Sequence, residues 1–181
     1  MRPAARFAYA AAILFALHLA TYFVPPLRDA TLASAPALAV AVALLAIAQH
    51  AVVFPVAAAL PAPVWARTAA YTWLIGDMVS DLMQMSGSPA SRYLVLRLAV
   101  NVLAAVWILA ASWRAPVATR IIGIFVACDL VAYSLMASLD PRAFVLALPS
   151  LVLLPIWFAL VGRRLTQTAV PAPARARTDP A

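Results

Sequence analysis

Three carboxylates lie inside apolar stretches of this sequence, where ionised groups are rare. Asp77 and Asp81 are one helical turn apart, and Asp129 lies in a separate stretch. A carboxylate in hydrocarbon is costly unless it is protonated, paired or next to a wet cavity, so each is a candidate functional residue. Because two carboxylates one turn apart repel each other, at least one of Asp77 and Asp81 is expected to hold a proton near neutral pH. Such a proton suits a proton relay or a general acid.

Counting residues from the ends of the apolar stretches gives a depth for each polar side chain. Asp81 and Arg97 both lie about 10 Å below the outer ends of their helices at about 1.5 Å per residue, which predicts that they pair. Asp77 and Asn101 match at about 15 Å. Asp129 shares their level, and His18 falls in the shallower layer. The full set of candidates for an ion, proton or substrate pathway is Asp77, Asp81, Asp129, Arg97, Asn101, His18, Gln84 and Tyr133.

The same depth count separates the two histidines and argues against haem. His50 lies about 22 Å below the outer end of its helix, whereas His18 lies at about 10 Å, and the two axial ligands of a haem must share a level. We expect His50 to satisfy the backbone carbonyl that Pro55 leaves free. One cysteine, two histidines, six aspartates and no glutamate provide little material for a metal site. The sequence therefore predicts neither a metal nor a cofactor.

The elements that position these residues are membrane helices. Of the 181 residues, 66% are hydrophobic and only 10% are charged, and the mean hydropathy is +0.97. Such a composition is typical of an integral membrane protein in contact with the lipid bilayer, and we expect no nucleic-acid partner. Prolines separate six stretches that are long enough to cross a bilayer. They are Phe7 to Val24, Ala35 to Leu60, Thr68 to Ser86, Ser91 to Trp113, Thr119 to Leu139 and Ala143 to Gly162.

The predicted fold is therefore all-α, a polytopic bundle of six transmembrane helices in residues 1–165, followed by a disordered cytoplasmic tail in residues 166–181. Nine arginines lie on the side of the predicted membrane that holds both termini, and three lie on the other side. Because positively charged loops stay in the cytoplasm, both termini are expected there. An alternative treats the first helix as a signal peptide cleaved at Ala33-Ser34-Ala35, although its apolar run is longer than usual. The sequence contains arginine but no lysine, and it is rich in alanine. This composition favours a protein of the bacterial inner membrane.

Two sequence patterns suggest how the helices are related. Aligning Arg92 with Arg142 also superposes Trp107 on Trp157 without a gap, so helices 3–4 and 5–6 are possible repeated hairpins. The preceding helices correspond with a one-residue offset, which matches Asp77 with Asp129, and both are expected to face the bundle centre. Shared membrane composition is the alternative explanation. Small residues every four positions along helix 1 allow close helix contact, either within the chain or in a homo-oligomer. They are Ala8, Ala12, Ala16 and Ala20.

Three functions remain open from the sequence. A transport function takes the carboxylates as sites that couple a proton or cation to movement of a small solute. An enzymatic function takes them as acid and base acting on a lipid or another membrane-embedded substrate. A scaffold function takes them as polar contacts between helices. Transport ranks slightly ahead because the polar residues are expected to spread over several helices and depths.

Overall fold

The protein is described here by a computed structural model, in which residues 3–140 and 145–167 are placed. These residues form α-helices joined by short turns and contain no β-strand. The helices are α1 (Pro3–Tyr22), α2 (Pro25–Arg28), α3 (Pro36–Ala51), α4 (Phe54–Ala59), α5 (Val64–Met85), α6 (Ala90–Ser112), α7 (Val117–Ala137) and α8 (Leu148–Gln167).

Five segments in the described residues are long and apolar enough to cross a membrane. They are Pro3–Tyr22, Pro36–Ala59, Ala90–Ser112, Val117–Ala137 and Val145–Gln167. The chain is thus a multi-pass, all-helical protein compatible with a membrane. α5 has 22 residues, enough to span a bilayer of about 30 Å, but its polar residues make it less apolar than the five. A sixth crossing by α5 remains a prediction.

Prolines set several of the helix boundaries. Pro63, Pro89 and Pro116 are the residues immediately before α5, α6 and α7, and each has an extended ψ angle. Proline has no N–H to leave unpaired, which suits it to a helix start. Gly87, with φ of 76°, lies in the tight turn between α5 and α6. A side chain disfavours that left-handed conformation, and glycine does not.

The second predicted span is interrupted before its proline. α3 ends at Ala51 and α4 begins at Phe54, so Pro55 occupies the first turn of α4. In a continuous helix the Pro55 ring would clash with the carbonyl of Ala51 and remove one hydrogen bond, which explains the break. The break places His50 close to the end of α3, in the middle of the span.

The six long helices pack as a ring in chain order. α1 contacts α3, α3 contacts α5, α5 contacts α6, α6 contacts α7, and α7 contacts α8, which packs back on α1. Alanines dominate the buried contacts, whereas large apolar side chains such as Ile13, Leu44, Val95 and Ile121 point outward. Small residues allow close helix approach, and the exposed apolar side chains suit contact with lipid.

Several sequence expectations do not match the observed packing. α8 begins at Leu148 and extends to Gln167, about five residues later at each end than the stretch Ala143 to Gly162. Pro149 therefore lies in its first turn and only Pro155 lies inside the helix. Arg142 and the predicted tail from residue 168 onward lie outside the described residues. The repeated hairpins are not confirmed, although the aligned Trp107 and Trp157 are both fully buried and in contact.

The predicted homo-oligomer surface on α1 is partly used within the chain. Ala8 is fully buried and Ala12 packs against the core, whereas Ala16 and Ala20 are exposed. A second copy of the chain could therefore reach only the latter two. Association of copies through this stripe remains a prediction.

Topology can be tested with reporter fusions. We expect fusions after Ala66 and Pro116 to report cytoplasmic locations and a fusion after Ser88 to report the opposite side, because α5 and α6 then both cross the membrane. Alkaline phosphatase and green fluorescent protein fused at the same positions give complementary readouts. Equal signals before and after α5 would show that α5 does not cross.

Candidate functional site: a polar cavity inside the helix ring

A cavity of about 320 Å³ lies inside the helix ring and is lined by all six long helices. At one end it reaches Arg28, whose side chain is about half exposed. The cavity therefore opens at the end of the ring where α5 meets α6. Polar residues that line this cavity are His18, Tyr22, Arg28, Gln49, His50, Trp73, Asp77, Asp81, Gln84, Tyr93, Arg97, Asn101, Tyr133 and Ser150.

Asp81 and Arg97 form an ion pair across the α5–α6 contact. Arg97 Nη2 donates to Asp81 Oδ1, and Arg97 Nε lies 3.6 Å from Asp77 Oδ1. The Asp81 side chain is 8% exposed and the Arg97 side chain 16% exposed, so both charges are largely removed from solvent. The structure thus places in contact the two residues that the depth count predicts to pair. Arg97 is directed inward by its two carboxylate neighbours.

Asp77 is held by one side chain of its own helix and by one of α3. Trp73 Nε1, one turn earlier on α5, donates a hydrogen bond of 2.9 Å to Asp77 Oδ2. His50 Nε2, on α3, lies 3.2 Å from the same oxygen. His50 Nδ1 also lies 3.7 Å from Asp81 Oδ2, so the imidazole bridges the two carboxylates. α3 therefore contributes to the site as directly as α5 and α6 do.

The surroundings of His50 indicate where a proton lies. Its Nδ1 is 2.7 Å from the carbonyl oxygen of Ala46, and a carbonyl can only accept a hydrogen bond, so Nδ1 carries a hydrogen. Nε2 then faces Asp77 Oδ2 at 3.2 Å. Two lone pairs at that distance would repel each other. One further proton therefore belongs to the His50–Asp77 pair, on either the imidazole or the carboxyl group.

That proton makes the cluster of His50, Asp77, Asp81 and Arg97 electrically neutral. The His50–Asp77 pair with its shared proton has no net charge, and Asp81 is balanced by Arg97. Buried charges are tolerated when they are paired and hydrogen-bonded, which this arrangement achieves. Loss of the single proton would leave one net negative charge beside the cavity.

Aromatic side chains close the cavity on the side away from Arg28. Phe15 stacks on Phe158 at 5.3 Å between ring centroids, and Trp73 lies 5.8 Å from Trp107. Trp157 contacts both Trp107 and Phe158, at 5.4 and 5.0 Å. We call Phe15, Trp73, Trp107, Trp157 and Phe158 the aromatic floor. Because three of these side chains are fully buried, the floor separates the cluster from the opposite end of the ring.

Asp129 lies apart from the cluster. It does not line the cavity, and its Oδ2 accepts a hydrogen bond of 2.9 Å from the backbone N–H of Ser150. Ser150 is in the first turn of α8, where N–H groups have no partner within the helix. A carboxylate also interacts favourably with the positive end of a helix dipole. Asp129 therefore stabilises the start of α8, and its predicted equivalence to Asp77 is not observed.

His50 is the cluster residue that the sequence expectation missed. The depth count placed His50 about 7 Å deeper than Asp77, because it assumed parallel helices that start at one level. The 3.2 Å contact shows that α3 and α5 do not meet these assumptions. His50 also bonds to the carbonyl of Ala46 rather than to that of Ala51, which Pro55 leaves free. The adjacent polar pair Gln49-His50 in an apolar helix was the available signal.

Other predicted residues also border the cavity. His18 packs edge-on against Tyr22 with 5.4 Å between ring centroids, and its Nδ1 is buried without a hydrogen-bond partner in the described residues. Gln84, Asn101 and Tyr133 also line the cavity. In the described residues, no three His, Cys or Asp side chains are arranged to hold a metal ion. The roles of all these residues remain predictions.

Comparison with known proteins gives no family to which the chain can be assigned. No protein family, curated protein sequence or solved structure matches it. The function is therefore inferred from the geometry of the cavity and of the His50, Asp77, Asp81 and Arg97 cluster.

Proposed function

We propose that the chain is a transporter of the bacterial inner membrane that moves a small solute through this cavity and couples the movement to the proton of the His50–Asp77 pair. The observation that carries the proposal is the 3.2 Å approach of His50 Nε2 to Asp77 Oδ2, which calls for a proton between them, beside a cavity that reaches the Arg28 end. A proton held in the middle of a membrane protein can be exchanged with a solute that binds next to it.

The position of the aromatic floor supports a transport cycle with two open states. The cavity reaches the Arg28 end, and the floor separates it from the other end. A solute could cross only if the floor opened while the Arg28 end closed, which is alternating access around one central site. The ring packing supplies the helix contacts that would rearrange.

The reason for preferring transport differs from the one that the sequence suggested. Polar residues were expected to spread over several helices and depths, whereas most of them surround one cavity. Convergence on one place also favours the second candidate, an enzyme acting on a membrane-embedded substrate, with the His50–Asp77 pair as acid and base. Transport remains preferred because the cavity extends from the Arg28 end to a neutral proton site, and because the Ser150 hydroxyl that also lines it donates to the carbonyl of Ala147 and not to a base.

The test uses the purified chain in liposomes that contain a pH-sensitive dye. Four solutes of different chemical class are added in turn: uncharged glucose, zwitterionic alanine, anionic succinate and cationic tetrapropylammonium. We expect at least one of them to change the internal pH in wild type, and we expect the change to be lost in Asp77→Asn because that variant cannot exchange the proton. Asp129→Asn is the matched control, since it removes an intramembrane carboxylate that does not line the cavity.

Each result has a definite meaning. A pH change of equal size in wild type and Asp77→Asn contradicts coupling through the pair. No pH change with any solute class contradicts transport. In that case, turnover of added phospholipid that Asp77→Asn abolishes would favour the enzyme instead.

A further inference from the structure

We infer that the solute is a monovalent organic cation of the alkylammonium class, which binds in the cavity in exchange for one proton of the His50–Asp77 pair. This inference rests on the proposed function only in taking the cavity as the solute site. It adds the charge of the solute, its chemical class and the number of protons exchanged.

Buried oxygen atoms without hydrogen-bond partners indicate the charge of the ligand. Asp77 Oδ1, Asp81 Oδ2 and Gln49 Oε1 are each buried and accept no hydrogen bond in the described residues, although Arg97 Nε lies 3.6 Å from the first and His50 Nδ1 lies 3.7 Å from the second. All three side chains line the cavity, and Gln49 is only 3% exposed. Oxygens of this kind accept hydrogen bonds or attract positive charge, and they repel an anion. The cavity is therefore suited to a cation or a hydrogen-bond donor.

The cavity walls indicate an organic cation. Five aromatic side chains line the cavity: Phe15, Tyr22, Trp73, Tyr93 and Tyr133. Ring faces attract ammonium groups through the negative face of the π system, and quaternary ammonium ligands are recognised in this way. A cavity of about 320 Å³ is also in the size range of sites for organic ligands. A bare metal ion would use neither the volume nor the rings.

Charge balance indicates that a proton must leave when the cation binds. The titratable and charged groups around His50 are Asp77 and Asp81 on α5, Arg97 on α6 and His18 on α1, and the phenols of Tyr22, Tyr93 and Tyr133 line the same cavity. With one proton on the His50–Asp77 pair the cluster is neutral. A bound monovalent cation would leave one net positive charge in a low-dielectric site. Release of that proton to water restores neutrality, so one cation replaces one proton.

The mouth of the cavity does not oppose entry of a cation. Arg28 lines the mouth but is bound to Asp29 through two hydrogen bonds, of 2.8 and 2.9 Å. The hydrogen bond from Arg28 holds the pKa of the Asp29 carboxyl below its usual value, so Asp29 is ionised at neutral pH. The Arg28–Asp29 pair therefore carries no net charge.

The experiment measures binding of tetrapropylammonium to the purified full chain in detergent micelles by isothermal titration calorimetry. This probe has no proton of its own, so any proton released comes from the protein. Titrations in two buffers with different ionisation enthalpies give the number of protons released. We expect one proton per bound cation, and an affinity that weakens about tenfold for each unit by which the pH falls while the pair exchanges one proton.

Controls separate this site from general adsorption. Asp77→Asn should weaken binding at least tenfold and remove proton release, whereas Asp129→Asn should bind as wild type does. Propanesulfonate, an anion, should not bind. The number of protons that wild type releases per bound cation tests the inference even if Asp77→Asn fails to fold.

The outcomes distinguish this inference from the proposed function. Binding without proton release, no binding, or tighter binding of propanesulfonate would overturn the inference. Cation binding with one released proton but no flux in liposomes would uphold the inference and overturn transport. Proton-coupled flux of another solute without tetrapropylammonium binding would overturn only the inference.

Discussion

Arg97→Gln is expected to destabilise the protein by about 3–5 kcal/mol, the usual cost of removing one partner from a buried ion pair. The guanidinium balances Asp81 directly and lies 3.6 Å from Asp77 Oδ1. Without it the cluster retains two buried carboxylates and a single neutralising proton. The free energy of unfolding is measured in mixed detergent micelles, with circular dichroism as the signal for unfolding.

Two further variants test the cause of that loss. Arg97→Gln combined with Asp81→Asn should recover much of the stability, because both members of the charged pair are then removed. Arg92→Gln changes an exposed arginine on the same helix and should alter stability by no more than about 0.5 kcal/mol. A double variant no more stable than Arg97→Gln would contradict the ion-pair explanation.

Gly123→Ala is expected to cost about 1–3 kcal/mol through overpacking where three helices meet. A Cβ atom at Gly123 of α7 would overlap Ser112 of α6 and the indole nitrogen of Trp157 of α8. Trp157 Nε1 donates a hydrogen bond of 2.9 Å to Ser112 Oγ, and both side chains are fully buried. The added methyl group would push these partners apart beneath the aromatic floor.

The control for Gly123→Ala is Cys128→Ala, which alters an exposed position on the same helix. We expect its effect to stay within about 0.5 kcal/mol. The readout is again the free energy of unfolding in mixed micelles. If Gly123→Ala were as stable as wild type, α6, α7 and α8 could not approach one another as closely as described.

Local sequence features were sufficient to predict most helices and the Asp81–Arg97 contact of the cluster. Prolines at positions such as 63, 89 and 116 both interrupt the apolar stretches and begin the helices. The Asp81–Arg97 contact could be predicted because α5 and α6 are joined by a short turn, so residue counts from that turn give comparable depths. Depth counting works where two helices share a nearby reference point.

Counting residues does not give comparable depths for side chains whose helices share no nearby turn. His50 lies far from any turn shared with α5, and the break before Pro55 changes the course of its span. Asp129 shows the opposite error, since its depth matched that of Asp77 but its carboxylate accepts from the start of α8. Depth along a helix does not determine which face of the helix carries a residue.

Nitrogen-15 NMR of the labelled histidines shows whether the His50–Asp77 pair holds one proton. His18→Gln leaves His50 as the single histidine, so its resonances need no further assignment. We expect a hydrogen on Nδ1, donated to the carbonyl of Ala46, and an Nε2 resonance that moves in Asp77→Asn while Nδ1 keeps its hydrogen. A neutral ring with its only hydrogen on Nε2, or an Nε2 resonance unchanged by Asp77→Asn, would contradict it.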